Sequence, residues 1–582
     1  MTRYKEKAKE TSPLSGKPHR INRLFRQLVP YGFCNEAKIQ FGMAIPVFLS
    51  QMTIFLVLIV GSMFCGHLGK IELDSITLAG AVINITGISF GYGMSAGCDT
   101  LMSQTYGSNN MKRVGTILQR GILIQMLCCF PCWTILINTE QILLLFKQNP
   151  DIARLTQKYV MIFVPALPAV FIQQLQFRYL QVQGIMWPQV FIGVAGNVVN
   201  AIANAIFMYI FKMGLEGSAL ANTISQWAMT LTLFLYIVAK KVHVETWGGW
   251  SKDCLQEWDI YLRLAIASMF MFCIEWWSFE IGSFLAGLIN VVELGGQAVV
   301  LELSTLTIML PMGFSTTANV RVGVALGAGD IEQAKKSTKV VLYCTAIVCL
   351  LVSCTVLALR NVIGYVFTND REIVTLVSNI MLIFAPFHLC EGTSAATGGI
   401  FRGTGKQKIG AIMAFLGYYL IGFPIGLSLM FPAKLGVIGL WIGMFCATFL
   451  QTVIYVLYIV LINWHKACEE ARIRAGVKPM KVSDPRISKT DISKSTPFDS
   501  VESSGTTMSD SRFDAIAMHD MASGEDHTKQ LELKNDLPME TTNVVGEILS
   551  TKQLIVRRGL ALLLCISLFM IGIAVKLFTT KK

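Results

Sequence analysis

The stretch G-M-S-A-G-C-D-T-L-M-S-Q-T-Y-G at residues 93–107 decides the fold, because it returns as G-F-S-T-T-A-N-V-R-V-G-V-A-L-G at residues 313–327. Gly93, Ser95 and Gly107 match Gly313, Ser315 and Gly327 at an offset of 220, and both copies leave a long apolar run for a basic segment. Further on, Pro165 and Gly184 match Pro386 and Gly405, and Gly214 and Gly217 match Gly436 and Gly439, with the offset drifting only to 222. A common order at near-constant spacing marks a duplicated architecture.

Outward from this pair, the composition places both copies in a bilayer. Hydrophobic residues make up 53% of the 582-residue chain and charged ones 15%, with a mean hydropathy of +0.54. Apolar stretches of about 18 residues or more, each able to cross a hydrocarbon core as a helix, recur from residue 38 to residue 464. Their centres fall at Phe48, Phe90, Leu127, Val164, Ala201, Thr230, Phe272, Leu310, Val348, Phe387, Gly417 and Phe449. Each repeat thus holds six spans, so both copies enter the membrane in the same direction and are related by an axis along its normal. The expected fold is an all-α polytopic membrane protein with two parallel six-helix bundles, and a thirteenth span, Gly559–Val575, follows later. The domains read as an amino-terminal arm (1–36), an N-lobe (37–240), a linker (241–257), a C-lobe (258–464), a polar tail (465–552) and the last helix (553–577). More than thirty polar residues precede the first apolar run, so it reads as a retained span and not a signal peptide.

Basic residues sit on alternate connections. They crowd the arm (Arg20, Arg23, Arg26, Lys38) and the even loops at Lys112 and Arg113, Lys240 and Lys241, Arg321, Lys335 and Lys336, and Arg402, Lys406 and Lys408. The positive-inside rule puts the amino terminus and the tail in the cytoplasm and the carboxyl terminus outside. The net charge of +12 therefore reflects membrane topology, and no nucleic-acid partner is expected. The tail is rich in Ser, Thr, Asp and Lys and reads as a disordered tether. Prolines within spans (Pro46, Pro165, Pro168, Pro311, Pro386, Pro424) mark bending points or static kinks.

Four glutamates stand well inside spans: Glu275 and Glu280 in span seven, Glu302 in span eight and Glu391 in span ten. A charge there costs about 2.5–3.5 kcal/mol on insertion scales. The repeat puts Ile54, Ile59, Val82 and Val170 at the equivalent places of the first half, so the fold does not need these carboxylates and a function for them is expected. Phe272 and Phe279 share a helical face with Glu275, and Trp276 and Trp277 precede Glu280 by four and three residues. Carboxylates beside aromatic faces suit an organic cation, and buried carboxylates can also load protons. One cluster could then couple two fluxes. His388, three residues before Glu391, could orient it or relay a proton. Gln51, Asn84 and Gln173 could line the facing wall or serve as interhelical glue.

Other chemistries lack their parts. His388 and Glu391 form H-x-x-E, but Gly392 stands where an inverted zincin needs His. G-T-G-K at 403–406 has Ile400 in place of the earlier P-loop glycine and Gln407 in place of Ser or Thr, so no ATP site is readable. Cys129 and Cys132 form a C-x-x-C without a second pair. No enzyme activity, metal or cofactor is expected.

P-V-F-L-S-Q at 46–51, the paired segments at 93–107 and 313–327, E-W-W-S-F-E at 275–280 and H-L-C-E-G at 388–392 together resemble the multidrug and toxin extrusion family, in its animal branch with a thirteenth helix. The resemblance covers residues 38–464. It implies twelve core helices around a central cavity and exchange of protons for organic cations and drugs at a plasma membrane, apical in epithelia. It also implies that Glu275, Glu280, Glu302 and Glu391 matter for transport, with Trp276, His388, Gln51 and Asn84 in support. Bacterial relatives often carry an aspartate in the first span, where this sequence has Gln51, Thr53 and Ile54. The lipid-linked flippases of the same fold imply a cationic cavity, whereas the glutamates imply an acidic one. Sodium coupling, a lipid-linked substrate or a passive cation channel are the alternatives.

Overall fold

The computed structural model describes residues 32–66, 69–477, 544–546 and 548–580, and its elements are all helices. Twelve are long and apolar enough to cross a bilayer. Spans one to five are Phe33–Cys65, Ile71–Gly107, Met111–Leu136, Pro150–Val182 and Trp187–Ile210. Spans seven to twelve are Trp258–Gly287, Val291–Ala328, Ile331–Leu359, Arg371–Thr404, Gln407–Met430 and Val437–Leu461, and span thirteen is Thr551–Thr579. The sixth place is filled by the 26-residue helix Gly214–Ala239, whose Asn222, Thr223, Ser225 and Gln226 dilute its apolar run. Arg20, Arg23 and Arg26 of the arm, and tail residues 478–543, lie outside the described residues.

The helices begin and end where local chemistry directs. Asn290, Asp330 and Asp370 cap spans eight, nine and ten, each accepting a hydrogen bond from a first-turn backbone N–H. Spans eight and ten end on Gly329 and Gly405 in the left-handed region. The repeat reaches this detail, for Asn109, 220 residues before Gly329, takes a positive φ of 61°. Pro165 falls in the 3-10 turn that divides span four, and Pro46, Pro311 and Pro386 lie inside continuous helices. Large apolar side chains such as Phe191, Leu235, Leu351 and Leu461 point outward, as a lipid-facing surface requires.

The two lobes meet through small residues. Span two runs along spans seven and eight, and a β-carbon added at Gly93, Gly97 or Gly107 would strike Met269, Ala265 or the Val324 backbone. Across the pseudo-axis, Gly313 abuts Ala44 and Gly327 abuts the backbone of Gln104. Backbones approach this closely only where side chains are absent. The glycines that betray the repeat are thus those that let its halves touch.

Buried ion pairs cross the same boundary. Glu36 of span one accepts hydrogen bonds from Arg321 Nε (3.0 Å) and Nη2 (2.6 Å), Gln333 Nε2 (2.8 Å) and Ser337 Oγ (2.7 Å) of spans eight and nine. Its counterpart 221 residues on, Glu257 at the head of span seven, accepts from Arg113 (2.9 and 3.1 Å) and lies 2.9 Å from Arg120, both in span three. Glu257 holds a left-handed φ of 55°, a strain that the two guanidiniums fixing its carboxylate offset. Each lobe therefore hands a carboxylate at the head of its first span to the other.

The expected tail begins differently. Residues Trp464–Arg474 form a helix that packs Ala467, Cys468 and Ala471 against Val322, Ala325 and Leu326 of span eight, and Arg474 donates to Gln104 Oε1 (2.9 Å). Burying this apolar face gives the segment the stability its composition hides.

Candidate transport cavity between the lobes

A cavity of about 330 Å³ opens between the lobes, within the range of small-molecule sites. It is walled by spans one, two, four and six on one side and by spans seven, eight, ten and twelve on the other. The walls are repeat-related: Ile54 faces in where the second lobe has Glu275, Phe55 where it has Trp276, Asn84 where it has Ser304, Ile88 where it has Ile308, and Gln174 where it has Ala395. One backbone framework thus presents an amide and aliphatic wall opposite an acidic and aromatic one.

Three of the four sequence-selected glutamates, Glu275, Glu280 and Glu391, line this cavity, together with Trp276, Gln51 and Asn84. Helical spacing explains the grouping, since Phe272, Glu275, Trp276, Phe279 and Glu280 recur at three and four residues along span seven. Asn84 opens a π-helical turn, Asn84–Ile88, that widens span two at the wall, a deviation common at functional sites. Glu391 is 2% exposed, and its Oε2 has no hydrogen-bond partner among the described residues. A buried carboxylate oxygen in this state is stabilised by a proton or a cation.

Some expectations need correction. Glu302, next to the lining Leu301 and one turn from the lining Thr305, is exposed on span eight and does not line the cavity. His388 stands behind Glu391: it is fully buried, stacks on Phe384 (ring centroids 5.9 Å apart) and brings Nδ1 to 3.7 Å from Glu391 Oε2, outside hydrogen-bond range. Trp277 turns away, donating to the Ile85 carbonyl at 3.4 Å. Gln173 is buried outside the cavity and its neighbour Gln174 lines it.

The largest departure is Arg402, grouped by sequence with the cytoplasmic loop bases. It is 3% exposed, belongs to the last turn of span ten and lines the cavity. Its guanidinium lies 5.1 Å from the Phe272 ring centroid, donates from Nη2 to Ser315 Oγ (2.9 Å) and places Nε 3.6 Å from Asp99 Oδ2. Asp99 in turn lies 3.2 Å from Arg178, which caps the face of Tyr92 at 4.6 Å. Two arginines and one aspartate, each 3% exposed or less, form a buried cluster beside the cavity that sequence reasoning missed. The signal was present, for each is a charge at the end of an apolar run. Such positions read as membrane boundaries until the fold tucks them under the opposite lobe.

The MatE family model matches residues 46–206 and 267–427, two stretches whose starts differ by 221, the repeat offset. Multidrug and toxin extrusion protein 2 of Mus musculus is 51% identical over 94% of this chain and 92% of its own length. Multidrug and toxin extrusion protein 1 of Homo sapiens is 46% identical over 98% and 99%. The solved eukaryotic MATE transporter AtDTX14 superposes with a TM-score of 0.74 at 28% identity, covering 76% of this chain and all of that one. A MATE family transporter solved in an outward-facing conformation shares the fold at a TM-score of 0.65 and 15% identity, over 75% of this chain and 97% of its own. With its repeat, its interlobe cavity and these likenesses, the chain belongs to the multidrug and toxin extrusion (MatE) family of membrane transporters.

Proposed function

We propose that this transporter exports organic cations in exchange for protons by alternating access of the interlobe cavity. The observation that carries the reading is the wall of Glu275, Glu280 and Glu391 beside Phe272, Trp276 and Phe279, with one Glu391 oxygen unpartnered. A carboxylate attracts an ammonium in a low-dielectric cleft, and the aromatic faces add cation–π and apolar contact. The same carboxylates take a proton when the cation leaves. Occupancy by one excludes the other, and exclusive occupancy of one site is what makes a carrier an exchanger.

The described conformer is shut at the end where Gly107 and Gly327 meet the opposite lobe and where the Glu36 and Glu257 ion pairs cross it. The basic loops support a cytoplasmic location for that end, with the amino terminus inside and the last helix's end outside. The cavity in this state discharges to the exterior, and protons entering there displace the cation. The proposed site of action is the plasma membrane, apical in epithelia, as the resemblance implies.

The test is uptake of a labelled quaternary ammonium into vesicles holding the purified protein, against an imposed pH gradient, with and without Glu275→Gln. Gradient-driven uptake abolished by that substitution is expected. Uptake indifferent to both gradient and substitution would refute the exchange mechanism.

A further inference from the structure

Glu391 and Arg402 both line the cavity from span ten, with Ser394, Ala395 and Gly398 between them. Eleven residues make about three helical turns, so the carboxylate and the guanidinium share one face about 16 Å apart along the axis. The residues between are small. A slot therefore runs from an acidic, aromatic end to a cationic one.

The cationic end is not internally neutralised. Asp99 is shared by Arg178 and Arg402, and the nearer pair is with Arg178 (3.2 Å against 3.6 Å). Arg402 Nε and Asp99 Oδ2 make no hydrogen bond among the described residues, although both atoms are buried. Nη2 is held by Ser315 Oγ, which fixes the plane of the fork, and Nη1 stands 3.8 Å from where a β-carbon on Gly398 would be. Because Gly398 has no side chain, that nitrogen remains open to the slot. An arginine fork, buried, oriented and one carboxylate short, is built to receive an anion.

We propose that Arg402, positioned by Ser315, is an anion subsite, and that the transporter accepts zwitterions whose ammonium sits at Glu275 and Glu391 while a carboxylate or sulfonate reaches Arg402. This rests on the cation site proposed above and adds a second point of attachment at a set distance from it. The incoming anion competes with Asp99, the link between span two and span ten, so zwitterion binding also loosens a contact between the lobes.

The test uses ω-trimethylammonio carboxylates with short, intermediate and long polymethylene spacers, each beside its methyl ester, as competitors of labelled tetraethylammonium binding to the full-length protein in detergent. The acid is expected to outcompete its ester at one preferred spacer length by roughly ten- to hundredfold, the worth of a charge-assisted hydrogen bond. Arg402→Gln removes that preference. Gly398→Ala, whose added β-carbon has ordinary contact room beside Met271 and Nη1, keeps the charge but narrows the slot beside it and reduces the preference. Esters that match or exceed their acids at every length overturn the proposal, as does an acid preference that survives both substitutions. The wild-type length series alone decides the matter if Arg402→Gln does not fold. Tetraethylammonium exchange driven by the pH gradient reads out the cation mechanism separately: its absence refutes that mechanism, whereas its presence without an acid preference refutes only the anion subsite.

Discussion

Gly327 meets Gln104 backbone to backbone, so closely that a β-carbon on Gly327 would overlap the Gln104 carbonyl oxygen. The repeat mate Gly107 stands in the same relation to Val324. Carbonyl groups cannot swing aside as a flexible side chain would, so even one methyl must hold the lobes apart. Gly327→Ala is expected to reduce exchange by more than about tenfold, the effect of raising the closed state by roughly 1.4 kcal/mol. Labelling of a cysteine introduced at the basic end should become faster in this variant. Wild-type exchange with unchanged labelling would mean that this contact does not gate the transporter.

The four membrane glutamates should separate by position. Glu275 faces the cavity, whereas Glu302 is exposed outside it. Glu275→Gln should lower gradient-driven cation uptake by more than about tenfold, and Glu302→Gln by no more than about threefold, as for an exposed charge. Equal losses in vesicle uptake would show that the wall at Glu302 also takes part.

Glu257 neutralises two guanidiniums that are 0–1% exposed. Replacing it with Gln strands both charges in a buried site, which costs about 3–5 kcal/mol in comparable pairs. The thermal unfolding midpoint of detergent-solubilised Glu257→Gln should fall accordingly, and Glu257→Asp should recover part of the loss. An unchanged midpoint would contradict the burial of this pair.

The thirteenth helix rests on span three, where Phe569 packs on Phe130 and Trp133, and just past that span's end Asn138 donates to the Gly572 carbonyl (3.0 Å). Only 6% of its apolar window is buried, and none of its residues lines the cavity. Deleting residues 551–582 should therefore leave a folded protein that still exchanges cations. At its near end, Arg558 stacks 4.3 Å from the Trp258 ring centroid and donates to the Leu255 carbonyl at 2.9 Å. Arg558→Ala should cost about 1 kcal/mol of stability, read as a small drop in the same unfolding midpoint. Loss of exchange on deletion, in protein that remains folded, would give the helix a direct part in transport.

Much of the architecture was legible in the chain itself. Apolar run length set the spans, because a continuous apolar run of that length satisfies its backbone hydrogen bonds in a bilayer as a helix. The recurring Gly93, Ser95, Gly107 pattern set the duplication, and carboxylates absent from one copy marked Glu275, Glu280, Glu302 and Glu391 as candidates, three of which line the cavity. Those signals are local, each contained in one helix or in one comparison along the chain. Tertiary structure alone decided which side chains share a space. It moved Glu302 out of the cavity, set His388 behind Glu391, folded Trp464–Arg474 onto span eight, and brought Arg402 from an apparent loop into the wall beside Asp99 and Arg178. A charge near a helix end can meet water or lie beneath another helix, and only the packing of the two lobes, which closes distances of hundreds of residues, selects between them.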